Sequence, residues 1–519
     1  MRLKKLTAEA LQAGPEKKIC CYERSEQHLT ELCEKYNVLD RLCLIADENK
    51  RRQGACALFG RTVPVKAPDV LPQMDWTAHL LVITSDYYWE VYEQLEKMLD
   101  TALEEIYYFA NQEAEYEEAY RDFYRDKPLE NLMVFRSGPH ASAYVPGMDF
   151  DGNARALFDY MLERGWNSGY KLVWLVKNPA DFSRYDDIPN VEFVSFDWSV
   201  SEDKQERDRY YHPLCTAKFL FFTDAYGFAR RCRRDQVRVQ LWHGCGFKTR
   251  VNFVRCEKRY EYTTVVSELY GKIHQDIYGL RADQILVTGY AKEDWLFQPP
   301  RPGFKDRLGI PDAKKYIYWL PTFRTAGGQL AQLNEKPPGS ETGLPVVDTW
   351  EQMDQLNRLL KREEMVLVIK LHPFQDRSAV GRVRASNIIL LDNGQLFRED
   401  IPINQLLGTA DALVSDYSSA AVDFLLLDRP IAFLLPDVEE YGANRGFVFE
   451  SIRDWLPGVE VDSFAGFLAF IQEIAAGTDS SGNKRGELRK RMHAFQDNQS
   501  CSRILRALGI EEGEKRDGF

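Results

Sequence analysis

No stretch of this chain reaches the ~18 consecutive apolar residues that carry a helix across a bilayer. The basic opening MRLKKLTAEALQAGPEKK also lacks the apolar core, about 7–15 residues long, of a secretory signal. Both absences predict a cytoplasmic protein, peripheral to the inner face of a membrane at most. The ten cysteines show neither CxxC pairs nor the Cys/His spacing of a zinc site, and the adjacent Cys20 and Cys21 cannot easily bridge each other. Reduced thiols are expected, with no metal centre and no cofactor. An excess of positive charge is missing too: the net charge of -12 gives no global attraction to nucleic acid or anionic lipid. An anionic partner must therefore be met locally. Candidate cations are Arg230, Arg231, Arg233 and Arg234, then Lys248, Arg250, Arg255, Lys258 and Arg259, although a solvated face is the ordinary use of such a run. No internal repeat recurs at a fixed period, which excludes a solenoid.

What is present is a long chain with an ordinary globular composition, 44% apolar and 28% charged over 519 residues, enough for two or three cores. Short apolar runs alternate with longer amphipathic ones, as strands and crossover helices do in parallel α/β sheets. Residues 1–128 read as a small α/β unit with strands KKICCY, RLCLIAD and LLVITS, closing on a charged helical spacer from Gln94 to Pro128. Asp47, at a strand end, matches the position of a ribose-binding acid. The first strand, however, runs into ERSEQH, with no glycine fingerprint to admit a pyrophosphate, so a structural or docking module is the competing reading.

Residues 129–298 form a second βα-rich section, from strand LMVFRS to strand VRVQLWHG. Residues 299–519 form a third, opening on the linker-like Pro299, Pro300, Arg301 and Pro302. Two such lobes enclose a cleft, and ligands sit at the carboxyl ends of their strands. The tail after Thr478 reads as a flexible SSGNKRG followed by a helix packed on the third section.

The candidate chemistry lies at those strand ends. VRVQLW runs into His243, Gly244, Cys245 and Gly246. An imidazole there suits a general base near neutral pH, and a histidine hydrogen-bonded within a turn is the alternative. MVLVIK ends in Leu371, His372 and Pro373, the same arrangement in the other lobe, with Lys370 or Arg377 able to assist His372 at a phosphate oxygen. DALVS leads to Asp416, Tyr417, Ser418 and Ser419 ahead of a helix, where hydroxyls and free N–H groups can seat a phosphate or simply cap the helix. Asp423 on that helix is expected to point away from any anion. Arg324 after YIYWLPTF could hold a phosphate bidentately, Glu440 could accept from ribose hydroxyls and Arg445 could face phosphate. The histidines at 28, 79, 140, 212, 274 and 493 lack such context and read as surface or packing residues.

Taken in order, WHG at 242–244, TGYAKED at 288–294, PTFR at 321–324, KLHP at 370–373, SDYSS at 415–419, then EEY and RGF, closely resemble the CDP-glycerol glycerophosphotransferases, the teichoic-acid primases and polymerases. The resemblance implies a GT-B fold of two Rossmann-like lobes facing a cleft, with residues 1–128 as an extra α/β domain outside the match. It implies transfer of glycerol phosphate or a related polyol phosphate from a CDP-activated donor to a polyol-phosphate or lipid-linked acceptor, with release of CMP and no metal. It maps two essential histidines onto His243 and His372. It places the donor mainly in the carboxyl-terminal lobe, with Ser418 and Ser419 at its pyrophosphate; Arg324, Lys370, Asp416, Glu440 and Arg445 are the further candidates for donor binding. Lys248, Lys292 and Asp294 are then the candidates for acceptor or phosphate. One motif departs from the family's glycine-x-proline-arginine-x-aspartate: Gly289-Tyr290-Ala291-Lys292-Glu293-Asp294 keeps a charge at Lys292 but loses the planar guanidinium fork. A nucleotide-sugar transferase or epimerase of the same fold, and a non-catalytic scaffold, are the rival readings.

Overall fold

The computed structural model describes residues 2–48, 52–85, 88–99, 103–137, 147–223, 233, 235–248, 260–321, 340–371 and 385–510. The expected site residues Arg324 and His372 lie outside the described residues, as do Arg230, Arg231, Arg234, Arg250, Arg255, Lys258, Arg259, Arg377, His140 and the side chain of Arg445. Two compact units emerge. One comprises 1–128 with 197–216 and 230–233, the other 129–196, 217–229 and 234–519.

The first unit is built on β1 (Arg2–Lys5), β2 (Lys18–Tyr22), β3 (Leu42–Ala46), β4 (Gly54–Leu58), β5 (Arg61–Lys66), β6 (His79–Ile83) and β7 (Glu105–Tyr108). Their order is β1-β7-β6-β2-β3-β5-β4, parallel except for the β4–β5 hairpin. The expected charged spacer is thus not one helix. It holds β7 between the helices Tyr88–Leu99 and Gln112–Tyr124, because EIYYFA buries Ile106 and Phe109 in the sheet's two cores while acidic residues on either side mask the run. A second correction concerns the helix Lys204–Thr216 and Arg233, which join this unit rather than the section assigned to 129–298. Tyr211 stacks on Tyr120 at 4.6 Å, and Tyr120 donates to Asp208 at 2.5 Å. Arg233, read as a cation for an anionic partner, is buried and donates instead to the carbonyls of Tyr124, Lys127 and Cys215. Asp47 is buried as well and accepts from the Arg24 N–H at 2.9 Å, a bond that ties two strand ends together.

The second unit carries two all-parallel sheets. The first contains β8 (Glu130–Arg136), β9 (Lys171–Val176), β10 (Val191–Ser195), β11 (Ala217–Phe222), β12 (Val237–Gln240), β13 (Tyr262–Val265) and β14 (Ile285–Val287), in the order β10-β9-β8-β11-β12-β13-β14. The other contains β15 (Lys315–Trp319), β16 (Met365–Lys370), β17 (Ile388–Leu391), β18 (Ala412–Ser415), β19 (Ile431–Leu434) and β20 (Val459–Val461), in the order β17-β16-β15-β18-β19-β20. Counted from its own first strand, each begins 3-2-1-4-5-6, the doubly wound Rossmann order, whose reversal opens a crevice at the strands' carboxyl ends. Both sheets are covered on two faces, which is why runs such as LVWLV and MVLVI are continuously apolar rather than alternating. Phe135, Phe150, Phe158 and Trp174 fill the first lobe's core. In the other lobe the helices Trp350–Arg362, capped by Thr349, and Phe464–Ala476 pack on the sheet.

The tail departs from expectation twice. SSGNKRG is not a loop: helix Gly482–Met492 begins within it, fixed by buried Arg485, which binds Asp428 and Asp479. The last helix, Ser500–Ala507, crosses back and inserts Cys501, Ile504 and Leu505 into the first lobe's core, not the second's. Its amphipathic pattern states that one face is buried but not which lobe buries it. None of the described helices is long and apolar enough to cross a membrane.

Between these two helices His493 is buried and its Nε2–H donates to the Val422 carbonyl at 2.8 Å. Burial pushes its pKa down to about 4. The unfolded chain takes up this proton near the ordinary value of about 6.5, so the stability that neutral His493 contributes is present above that pH and is lost as pH falls toward 4. The loss is on the order of 3 kcal/mol. Replacing His493 with Gln is expected to flatten the fall in denaturation midpoint between pH 7 and pH 4; an unchanged slope would refute the assignment.

Candidate functional site

The site starts from an unfavourable backbone. β12 ends at Gln240, and two residues later Trp242 adopts φ of 59°, a left-handed conformation costing a bulky side chain about 1–3 kcal/mol. Several bonds compel it. The Trp242 N–H donates to Gln240 Oε1 at 2.9 Å, while Asn153 Nδ2 donates to the Leu241 and Trp242 carbonyls at 3.0 and 2.9 Å. The indole packs edge-on against His274 and Tyr278 and lies against the His243 ring at 5.0 Å. The reversal turns His243 outward, where it is exposed, while its neighbours on both sides are buried.

Gly244 follows with φ of 148°, and a Cβ there would lie 2.7 Å from Ser419 Oγ. A Cβ on Gly246 would also touch Ser419, at 3.4 Å. What the two glycines admit is a serine of the opposite lobe. The same loop then pairs with that lobe: Lys248 bridges Phe447 antiparallel, and the Val448 N–H donates to the Phe247 carbonyl at 2.9 Å. Tyr417, stacked on Tyr441 at 3.9 Å and donating to Asp437 at 3.1 Å, steadies the strand end that presents Ser418 and Ser419.

A cavity of about 440 Å³ opens over this junction. His243, Lys248, Lys370, Ser418 and Ser419 line it, with Tyr270, His274 and Tyr278 from the helix Glu268–Tyr278 forming one wall and Leu320 and Pro321 another. Five residues expected at the site, from two lobes, therefore line one space. Lys370 also reaches a smaller adjoining pocket with Asp151, Arg155 and Asn393. Packed at the end of a central strand, it is desolvated, and its pKa falls to about 8. His274 is pushed down to about 3 by burial first and by neighbouring His243 second, so the wall presents a neutral imidazole. Ser419 stands at the N-cap of the short helix Ala420–Phe424 without a side-chain cap bond, and Ser418 Oγ accepts from the Ala420 N–H at 3.3 Å. The cap reading thus fits Ser418 in part, and both serines line the cavity. Among the described lining residues there is no carboxylate.

Other expected residues do not reach it. Lys292, a candidate for acceptor or phosphate, is buried; its ammonium pairs with Asp423 Oδ2 at 2.5 Å and donates to the His243 carbonyl at 3.0 Å. The Asp423 carboxylate accordingly points away from the cavity, as expected. Asp294, the third candidate on that side, is also buried and accepts from the Ser500 and Cys501 N–H groups at 2.8 and 2.9 Å, so it caps the returning tail helix. Asp416 is buried at the end of β18, and exposed Glu440 lies on the helix Val438–Arg445; neither lines the cavity. Sequence reasoning missed Asn153, in the first turn of the helix Gly152–Glu163, and the Tyr270–Tyr278 wall, whose residues belong to no strand-terminal motif.

Beneath the loop sits a buried polar group. Cys245 Sγ lies 3.0 Å from Tyr290 OH, Glu293 accepts from the Tyr290 N–H at 2.9 Å, and His493 Nδ1 stands 3.8 Å from Glu293. Burial, reinforced by the charge of Asp423, holds the Glu293 carboxyl well above the ordinary range. The TGYAKED motif is therefore the floor of the site rather than its lining.

The chain as a whole is similar to known proteins. The teichoic acid poly(ribitol-phosphate) polymerase of Bacillus spizizenii is 29% identical over 331 residues, 57% of this chain and 50% of that protein. The teichoic acid ribitol-phosphate polymerase TarK of Staphylococcus aureus is 26% identical over 367 residues, 66% of each. The chain thus spans about half to two thirds of the length of these relatives. A solved structure of the wall teichoic acid polymerase TagF aligns with a TM-score of 0.57 at 17% identity, covering 83% of this chain and 100% of that one. That likeness concerns the fold, and with the two Rossmann-like sheets it makes the architecture GT-B in type, preceded by an additional α/β unit. The sequence pattern of the CDP-glycerol:poly(glycerophosphate) glycerophosphotransferase family matches residues 130–509, and the chain belongs to that family.

Proposed function

We propose that this protein transfers glycerol phosphate, or a related polyol phosphate such as ribitol phosphate, from a CDP-activated donor to a hydroxyl acceptor in the synthesis of a teichoic-acid-like polymer. The observation that carries this reading is the convergence of His243, Lys248, Lys370, Ser418 and Ser419, from both lobes, on one cavity. A cavity lined by Lys248, Lys370, Ser418 and Ser419, with no carboxylate among its described lining residues, suits a diphosphate, and the membership of the family names its class.

The acceptor hydroxyl attacks the β-phosphorus of the donor in line. Its proton passes to His243, the new oxygen–phosphorus bond forms, the bond to the bridging oxygen breaks, and CMP leaves. Charge on the phosphoryl oxygens is met by Lys370 and by the hydroxyls of Ser418 and Ser419, fixed before the substrate arrives. His372 and Arg324, outside the described residues, are assigned the second histidine and a phosphate contact on their sequence motifs alone. No cofactor enters this scheme. An acceptor carried on a lipid would bring the protein to the inner face of a membrane as a peripheral visitor.

Incubating the protein with CDP-glycerol or CDP-ribitol and a polyol-phosphate or lipid-linked acceptor should release CMP and extend the acceptor by one phosphodiester unit per CMP, read by mass. UDP formation from a sugar nucleotide, with CDP-polyols untouched, would overturn the reading. His243→Ala is expected to lower turnover by about 10²-fold or more with donor binding nearly intact; unchanged turnover removes His243 from the mechanism.

Lys370 supplies a pH signature. Its lowered pKa means that the free protein loses this cation as pH rises through about 8, not near the usual lysine value. The ratio kcat/KM for the donor should therefore fall above about pH 8, and Lys370→Arg should carry activity to higher pH. A profile flat to pH 10 in the parent protein would exclude a charged Lys370 from donor binding.

A further inference from the structure

The loop that carries His243 is held by more than its own turn. Lys292 is gripped at both ends: its N–H donates to Asn153 Oδ1 at 3.0 Å, and its ammonium donates to the His243 carbonyl at 3.0 Å while pairing with Asp423 at 2.5 Å. Asn153 uses its other end on the Leu241 and Trp242 carbonyls, so three consecutive carbonyls, from Leu241 to His243, are fixed by two side chains. Asp423 comes from the opposite lobe, and its Oδ2 also lies 3.4 Å from Asn404 Nδ2. The pair is almost wholly out of water, with the lysine side chain 10% exposed and the aspartate 2%.

A buried ion pair is weak evidence for stability, because desolvation offsets most of the attraction and an apolar pair of similar volume often does as well. Its use is more often to specify one arrangement. The arrangement specified here is a left-handed Trp242 with the imidazole of His243 turned into the cavity, at a site where Gly244 touches Ser419 of the other lobe.

We propose that Lys292 is a positioning residue for His243: bridging Asp423 of one lobe to the His243 carbonyl of the other, it sets the imidazole over the donor site only when the two lobes are in register. This rests on His243 acting as the base. Lys292 does not touch substrate. It replaces the expected phosphate contact by a link that couples lobe register to the aim of the base, and it serves because one cationic head with several N–H donors can reach a carbonyl and a carboxylate together.

The test compares Lys292→Met, Lys292→Arg and the double variant Lys292→Met with Asp423→Asn. Lys292→Met strands a buried carboxylate and should lower the melting temperature. The double variant removes both charges and should recover most of that loss. Turnover separates the readings: in the double variant kcat should stay roughly 10- to 100-fold down, as misaimed reacting groups cost, with the donor KM changed less than about threefold. Lys292→Arg, which keeps donors for both partners, should retain kcat within about threefold of the parent. Recovery of stability and turnover together in the double variant would show that Lys292 only neutralises Asp423, and would overturn the proposal. So would a folded Lys292→Arg as slow as Lys292→Met.

A second readout does not depend on turnover. The ring resonances of His243, assigned with His243→Gln, should shift and broaden in the double variant, whereas those of His79 in the other unit should not. Unmoved His243 resonances would sink the positioning role even if no CDP-polyol proves to be a substrate. A parent protein that releases no CMP, with His243 still perturbed by loss of Lys292, would sink the proposed reaction and leave the positioning intact.

Discussion

The approach of Gly244 to Ser419 is the constraint on which the rest of the site depends. A Cβ there would lie 2.7 Å from Ser419 Oγ, so the glycine is what lets the end of β12 in one lobe and the end of β18 in the other come into contact. Everything nearby serves that contact. The positive φ at Trp242 aims the chain toward it, Asn153 and Lys292 hold the carbonyls behind it, and the Lys248–Phe447 bridge continues it along the backbone. The cavity is the space left over once these strand ends have met.

This explains why the polar residues around the site fall into two layers. The inner layer, His243, Lys370, Ser418 and Ser419, is accessible and carries the groups a diphosphate would need. The outer layer, Lys292, Glu293, Asp294 and Asp423, is buried, and each member holds backbone or another charge in place. Burial raises what is at stake in both directions: a satisfied buried group fixes one geometry, and an orphaned one costs several kcal/mol. The tail helix depends on that outer layer, since Asp294 caps its first turn and so ties the carboxyl-terminal end of the chain to the first lobe.

Much of this was legible in the sequence. The parallel α/β architecture follows from apolar runs bounded by amphipathic helices, and the strand-terminal positions of His243, Lys370 and Ser418 were readable because each follows such a run directly. β7 was hidden because acidic residues on both sides made one long charged helix the simpler reading. Lys292 and Asp294 were misplaced for a different reason: a charged residue in a motif looks the same whether it lines a cavity or supports one.

By itself the sequence determined which residues end the strands of each lobe, because local patterning and the reach of a strand are one-dimensional properties. Only the tertiary structure decided which charges are neutralised by partners far along the chain, Lys292 by Asp423 and Arg485 by Asp428, and which lobe receives the last helix. The reason is physical. Electrostatic pairing and desolvation depend on distance in space and on exclusion of water, and neither is encoded in spacing along the chain.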